Sequence, residues 1–228
     1  MPSLETSWHK HVSIQKIRGR KSLSLRVEGP DRIVVRSPWL VSPKTIWQFI
    51  YEKSDWIQDR LDDHAARHRP LTTGRELLYL GQPKTLQIVP SPKKRPVVTL
   101  AQDTLRVATQ HPETVKAALE KWYRANAADI ISDRVSIFQP QVGKPVNAIR
   151  FKTLKSRWGS CSSKNNLNFN WTLMMAPLDV IDYVVVHELC HLLVPNHSAA
   201  FWETVAKILP DYKQRWAWLK NNGEKLRL

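Results

Sequence analysis

Val180-Ile181-Asp182-Tyr183-Val184-Val185-Val186-His187-Glu188-Leu189-Cys190-His191, with a further histidine at His197, is the stretch that decides how this chain is read. Residues 180–186 are apolar at helical and near-continuous spacing, the pattern of a buried helix. Pro177-Leu178-Asp179 supplies a helix start, with Asp179 at the positive end of the dipole. A helix advances about 100° per residue, so His187 and His191 lie one turn apart on one face and two imidazoles can converge on one metal ion. Catalytic zinc takes three protein ligands and leaves one position for water. Glu188, beside the first ligand, is placed to take a proton from that water instead of binding the metal. From this chain's own usage, chance would produce His-Glu-x-x-His in about one such chain in a hundred.

The candidate third ligand is His197. Pro195 cannot continue the helix and Asn196 suits a turn, so the chain can fold back and present that imidazole. The spacing matches the pattern His-Glu-x-x-His-x-x-Gly-x-x-His, except that Val194 stands where that pattern has glycine. Two alternatives stay open: His197 as a structural neighbour of the next helix, and Glu203 as the ligand. Cys190 points to another helix face and is a poor ligand.

Around this stretch the pattern alternates. Ile149–Lys152 and the segment from Arg157 to Asn170 read as two strands, whose edge can pair with an extended peptide. Trp158 and Trp171 read as core residues before substrate platforms. Downstream, Ala200, Phe201, Val205 and Ile208 form a helical face, and Pro210-Asp211 starts another helix carrying Trp216 and Leu219. Tyr212 and Arg157 are the candidates for stabilising an oxyanion. Asp179 and Asp182 are candidates for orienting a ligand imidazole.

Upstream, Val115, Leu119, Trp122, Tyr123, Ile130, Ile131 and Val135 recur at helical spacing in a segment expected to end before Pro140. Residues 1–110 read as a β-rich domain. A small antiparallel meander is expected at 12–18, 22–28 and 31–37. One long amphipathic helix follows from Pro43 to near His68-Arg69-Pro70, then strands at 76–80, 84–89, 97–100 and 104–108. The fold class is therefore α+β, with the chemistry in residues 111–228.

Ser156–Cys161, Leu167–Trp171, Ala176-Pro177, His187–His191 and Asn196–Trp202 together resemble the YgjP-like (DUF45) family of zinc metallopeptidases and metal-dependent hydrolases, related to the SprT-like and WLM zincins. Arg20–Val27 and Leu80-Gly81 extend the likeness over most of the chain. The resemblance implies a zincin-like helical and β core with an active-site helix, His187, His191 and His197 as zinc ligands, and Glu188 as the base.

Composition bounds the rest. The chain has 228 residues, 42% of them hydrophobic, with ten tryptophans, which favours a packed core over disorder. Its two cysteines, Cys161 and Cys190, read as reduced buried thiols, with a role for Cys161 near the metal left open. No signal peptide or membrane span is visible, so a soluble cytoplasmic enzyme is expected. The net charge is +15, with 19 Lys and Arg against 10 Asp and Glu in residues 1–110, and 16 against 10 in residues 111–228. Such a field attracts nucleic acid, nucleotides or acidic surfaces, although no helix-turn-helix, zinc-finger or RNA-recognition signature accompanies it.

Three functions follow: a zinc peptidase acting on protein or peptide; a zinc hydrolase of a nucleotide or other anionic small substrate; and a basic, nucleic-acid-associated binding module with structural zinc. No P-loop or dinucleotide-binding glycine pattern is present.

Overall fold

A computed structural model describes residues 8–67, 70–154 and 156–228. The chain forms two compact units that divide at Pro70 and Leu71. The division expected at 110 falls inside the second unit, because Leu77, Leu86, Leu105 and Val107 share one hydrophobic cluster with the helix that follows them.

In the first unit, β1 (Val12–Ile17), β2 (Ser24–Gly29) and β3 (Arg32–Pro38) form a sheet in the order β1-β3-β2. It is not the expected meander: β1 runs parallel to β3, while β2 pairs antiparallel with it. The link at 18–23 is longer than a tight hairpin turn, so the chain passes to the far edge of β3 before returning. Ile33 and Val35 alternate onto one face, where they cluster with Trp8, Ile46, Ile50 and Ile57. The expected long helix is two, α1 (Pro43–Tyr51) and α2 (Ser54–Arg67). Ser42 caps α1 by accepting from the Thr45 amide, and the chain breaks at Glu52-Lys53. Of the expected helix end, His68 and Arg69 lie outside the described residues.

In the second unit, β4 (Glu76–Tyr79), β5 (Gln82–Val89), β6 (Val97–Ala101) and β7 (Thr104–Ala108) form a sheet in the order β4-β5-β7-β6. It packs on α3 (Val115–Val142), whose buried positions Val115, Leu119, Tyr123, Ala127, Ile131 and Val135 step four residues at a time along one face. The Tyr123 hydroxyl donates to the Leu78 carbonyl at 2.7 Å, tying helix to sheet. The helix continues through Pro140, past its expected end. Burial of Phe138 and Val142, and the left-handed Gly143 cap at φ 69°, offset the backbone bond that proline omits.

The third sheet carries the site. β8 (Ala148–Lys152), β9 (Gly159–Cys161) and β10 (Asn166–Asn170) lie in the order β8-β10-β9, with β9 antiparallel at one edge. A 3-10 turn, Trp171–Met175, leads into α4 (Leu178–Cys190), and α5 (Ala199–Ile208) and α6 (Tyr212–Asn222) close the chain. The Leu80-Gly81 turn docks under the start of α4: Leu80 and Gly81 amides donate to the Met174 and Met175 carbonyls at 2.8 and 3.2 Å. Gly81 has φ +77°, and a Cβ there would lie 2.8 Å from Pro177 Cγ.

Candidate metal centre

Ten α4 residues are buried, including the run from Val180 to Val186, as its apolar sequence demands. His187 sits in its last turn and His191 is its C-cap residue. Turns at Leu192, Leu193 and Val194, whose amides donate to the Leu189 and Cys190 carbonyls, end the helix, and the loop through Pro195 returns His197 to the same place. One ring nitrogen from each of His187, His191 and His197 lies within 4.8 Å of the other two. The Nε2 atoms of His187 and His197 are 3.0 Å apart. Two ligands at about 2.0–2.1 Å from a tetrahedral metal are separated by about 3.3 Å, so the pair is spaced to share a metal ion.

The ring orientations agree with that reading. His191 Nδ1 lies 3.1 Å from the Val194 carbonyl; donation along that line leaves Nε2 with its lone pair for a metal. Phe201, fully buried on α5, supports all three imidazoles, with ring centroids 4.9, 4.5 and 4.9 Å away, and stacks on His191. Burial, followed by the neighbouring imidazoles, drives His187 down to about 3, and burial also lowers His191. Both rings are thereby held neutral, the form that binds metal. Glu203, the alternative ligand, is exposed on α5 and outside this cluster.

Glu188 is buried on the adjoining face of α4, and among the described residues its Oε2 has no hydrogen-bond partner. Burial pushes its carboxyl up to about 8, while Arg157 pulls in the opposite direction. Its side chain lies against Gly159 of β9, where an added Cβ would come within 2.6 Å of Cγ and Oε1.

A cavity of about 940 Å³ opens beside the histidines. One wall is β9 with Arg157 and Trp158; Tyr183, Val184 and Leu192 form another, and Trp216, Leu219 and Lys220 of α6 also line it. Trp158 O accepts from the Asn170 amide at 2.8 Å, and the Ser162 amide donates to Asn166 O at 3.0 Å. Those residues and Ser160 therefore face β10, and the antiparallel alternation turns the N–H and C=O of Gly159 and Cys161 outward along the open edge.

Of the two oxyanion candidates, Arg157 lines the cavity; Tyr212 stacks on Trp202 at 5.4 Å and does not line it. Tyr183 was not singled out from sequence, although its position four residues before His187 puts it on the ligand face. It lines the cavity, and burial, then Glu188, pushes its phenol up to about 12. Gly159 and Lys220 also went unread, because nothing local marks a close approach or a cavity wall. Asp182 does not orient an imidazole: both its oxygens accept from Arg134 of α3, at 2.5 and 2.7 Å. Asp179 accepts from Arg215 through its backbone carbonyl, at 3.0 Å. Cys190 is buried; Cys161 faces the cavity, and burial, then Glu188, raises its thiol. Trp171 is core, whereas Trp158 is half-buried against Gly223 and reaches the cavity. Among the described residues, no helix is long and apolar enough to cross a membrane.

The profile of the family described as YgjP-like, metallopeptidase domain, matches residues 21–222. Among solved structures, the metallopeptidase zymogen of Pyrococcus abyssi abylysin is 20% identical, covering 42% of this chain and 96% of its own, with a TM-score of 0.38. The metallopeptidase zymogen of Methanocaldococcus jannaschii jannalysin is 20% identical, covering 38% and 93%, with a TM-score of 0.33. No curated protein matches.

Proposed function

The chain belongs to the YgjP-like metallopeptidase family, and from that premise we propose that it is a zinc-dependent peptidase in which His187, His191 and His197 hold the metal and Glu188 is the general base. The observation that carries this reading is the convergence of three imidazoles beside the buried Glu188 carboxylate at an open strand edge. When bound, the metal supplies Lewis acidity and lowers the pKa of water to about 7.

The chain's own groups do the rest. An extended peptide pairs with the outward N–H and C=O groups of Gly159 and Cys161, which sets its scissile carbonyl beside Glu188. Glu188 takes a proton from water as the water oxygen bonds to that carbonyl carbon. It then gives the proton to the amide nitrogen as the C–N bond breaks, leaving a carboxylate and an amine. Arg157 or the Tyr183 hydroxyl, both on the cavity wall, stabilises the developing oxyanion. Tyr212, outside that wall, has less support.

A second reading, hydrolysis of a phosphoanhydride in a nucleotide or similar anion, is favoured by Arg157 and Lys220, which bring two cations to the same cavity. A purely structural zinc site has less support, because no fourth ligand joins the cluster among the described residues.

The test is metal analysis of wild type beside Glu188→Gln, each assayed on an unfolded protein and on a nucleotide panel. One zinc in both, with peptide cleavage in wild type alone, is the expected result. Nucleotide turnover without peptide cleavage selects the second reading, and zinc without either activity overturns both.

A further inference from the structure

Among the described residues of the first unit, the helices pack on the Ile33 and Val35 side of the β1-β3-β2 sheet and not on its outer face, whose chemistry is specific. Residues facing each other across the strands share a face, so Ser13, Gln15 and Ile17 align with Val34, Arg36 and Pro38, and with Ser24 and Arg26. All lie opposite the side where Ile33 and Val35 cluster with Ile46, Ile50 and Ile57. Val34, at the centre, is buried yet belongs to neither hydrophobic cluster. Long polar side chains surround it: Arg36 lies along the sheet with Nε 3.3 Å from Gln15 Oε1, and Arg20 reaches Ser24 Oγ at 2.7 Å. Arg26 is exposed.

Charge on this segment is one-sided. Residues 8–40 hold eight Lys and Arg against two carboxylates. Both carboxylates are engaged, Glu28 with Arg32 at 3.1 Å and Asp31 with His11 at 3.4 Å. Just beyond the paired ends of β1 and β3, Trp39 is 51% exposed with the Arg18 guanidinium 5.3 Å from its ring centroid. A basic face with a half-exposed indole beside it can contact phosphates with guanidiniums and stack an unpaired base on the ring side that Arg18 leaves free. It presents no helix for a duplex groove, since α1 packs on the opposite side.

We propose that the outer β1-β3-β2 face is a binding platform for single-stranded nucleic acid, with Arg20, Arg26 and Arg36 contacting the phosphate backbone and Trp39 stacking on a base. Guanidinium–phosphate contacts and base stacking are sequence-tolerant, so no base preference is expected. This inference stands apart from the metal centre and does not depend on which bond is cleaved there.

The test is fluorescence anisotropy of the full chain with a labelled oligothymidylate of about 20 nucleotides at about 150 mM salt, beside a duplex of equal length and polyglutamate. Arg26→Gln combined with Arg36→Gln should weaken oligothymidylate binding about tenfold and reduce the salt slope by about 1.4, the share of two phosphate contacts on a single strand. Trp39→Ala should weaken binding with the slope unchanged. Arg26→Gln alone, at an exposed position, keeps the test valid if the double variant folds poorly, and should lower the slope by about 0.7. No binding by wild type, or arginine variants within about twofold of wild type, would overturn the proposal. So would a duplex or polyglutamate held as tightly as the single strand, since the face would then be a general polyanion site.

Discussion

Gly159 touches Glu188 so closely that a Cβ on the glycine would lie 2.6 Å from the carboxylate Oε1. The edge strand proposed to pair with a peptide is therefore also the wall against which Glu188, the proposed general base, is packed. A residue with no side chain lets both sit within one contact distance.

Gly159→Ala should consequently separate base positioning from metal binding. The methyl must displace Glu188 or β9, and a misplacement of about 1 Å at a reacting group costs about 100-fold in rate. Zinc content measured by mass spectrometry should stay at one per chain while kcat falls by about that factor. Full activity would mean that Glu188 is not held from this side.

His197→Ala should remove the loop's contribution to the metal cluster, whose other members sit at the end of α4. Two imidazoles are an incomplete donor set for zinc, so the purified variant should lose most of its metal, and chelator competition should strip the remainder faster than from wild type. Unchanged stoichiometry and exchange rate would exclude His197 as a ligand.

Metal-free protein should show the cost of burying the Glu188 carboxylate as a pH-dependent stability. Its folded value, about 8, is above its ordinary 4.5, so the folded state binds the extra proton. The associated stability is complete below about 4.5 and is lost as pH rises toward 8. Glu188→Gln cannot lose a proton, and histidine titration is common to both chains. The melting temperature of the variant minus that of wild type, with chelator present, should grow across this window; an offset constant with pH would refute the account.

Arg134→Ala should destabilise the fold without touching the metal cluster. The ion pair to Asp182 joins α3 to α4 with the side chains 23% and 10% exposed, so removing the cation strands a carboxylate inside the protein. A loss of about 3–5 kcal/mol is expected in denaturant unfolding of the zinc-free chain. Restoring most of it with Arg134→Met plus Asp182→Leu would show that the stranded charge caused the loss.

Much of the architecture was legible because periodicity is local. Period-two runs located most strands of both units, although 157–170, expected as one strand, folds as the antiparallel pair β9 and β10, and the four-residue steps of α3 marked its buried face. The misreadings were also local in cause. The break at Glu52-Lys53 interrupts an amphipathic pattern that continues across it, and Pro140 reads as a stop unless the packing of Val142 is known. Strand periodicity is the same for parallel and antiparallel neighbours, so it could not reveal that β1 pairs with β3. The unit boundary at Pro70 likewise depends on which core the β4–β7 sheet joins, a long-range fact.

The sequence alone determined the convergence of His187 and His191 and the adjacency of Glu188, because about 100° per residue on a helix makes spacing into geometry. It also marked the break after which His197 could return. Only the tertiary structure decided that Gly159 backs onto Glu188, that Asp182 serves Arg134 instead of an imidazole, and that Arg157 lines the cavity while Tyr212 stacks on Trp202. Each of those relations joins different secondary-structure elements, and their relative placement is set by core packing across the whole unit, which no local repeat encodes.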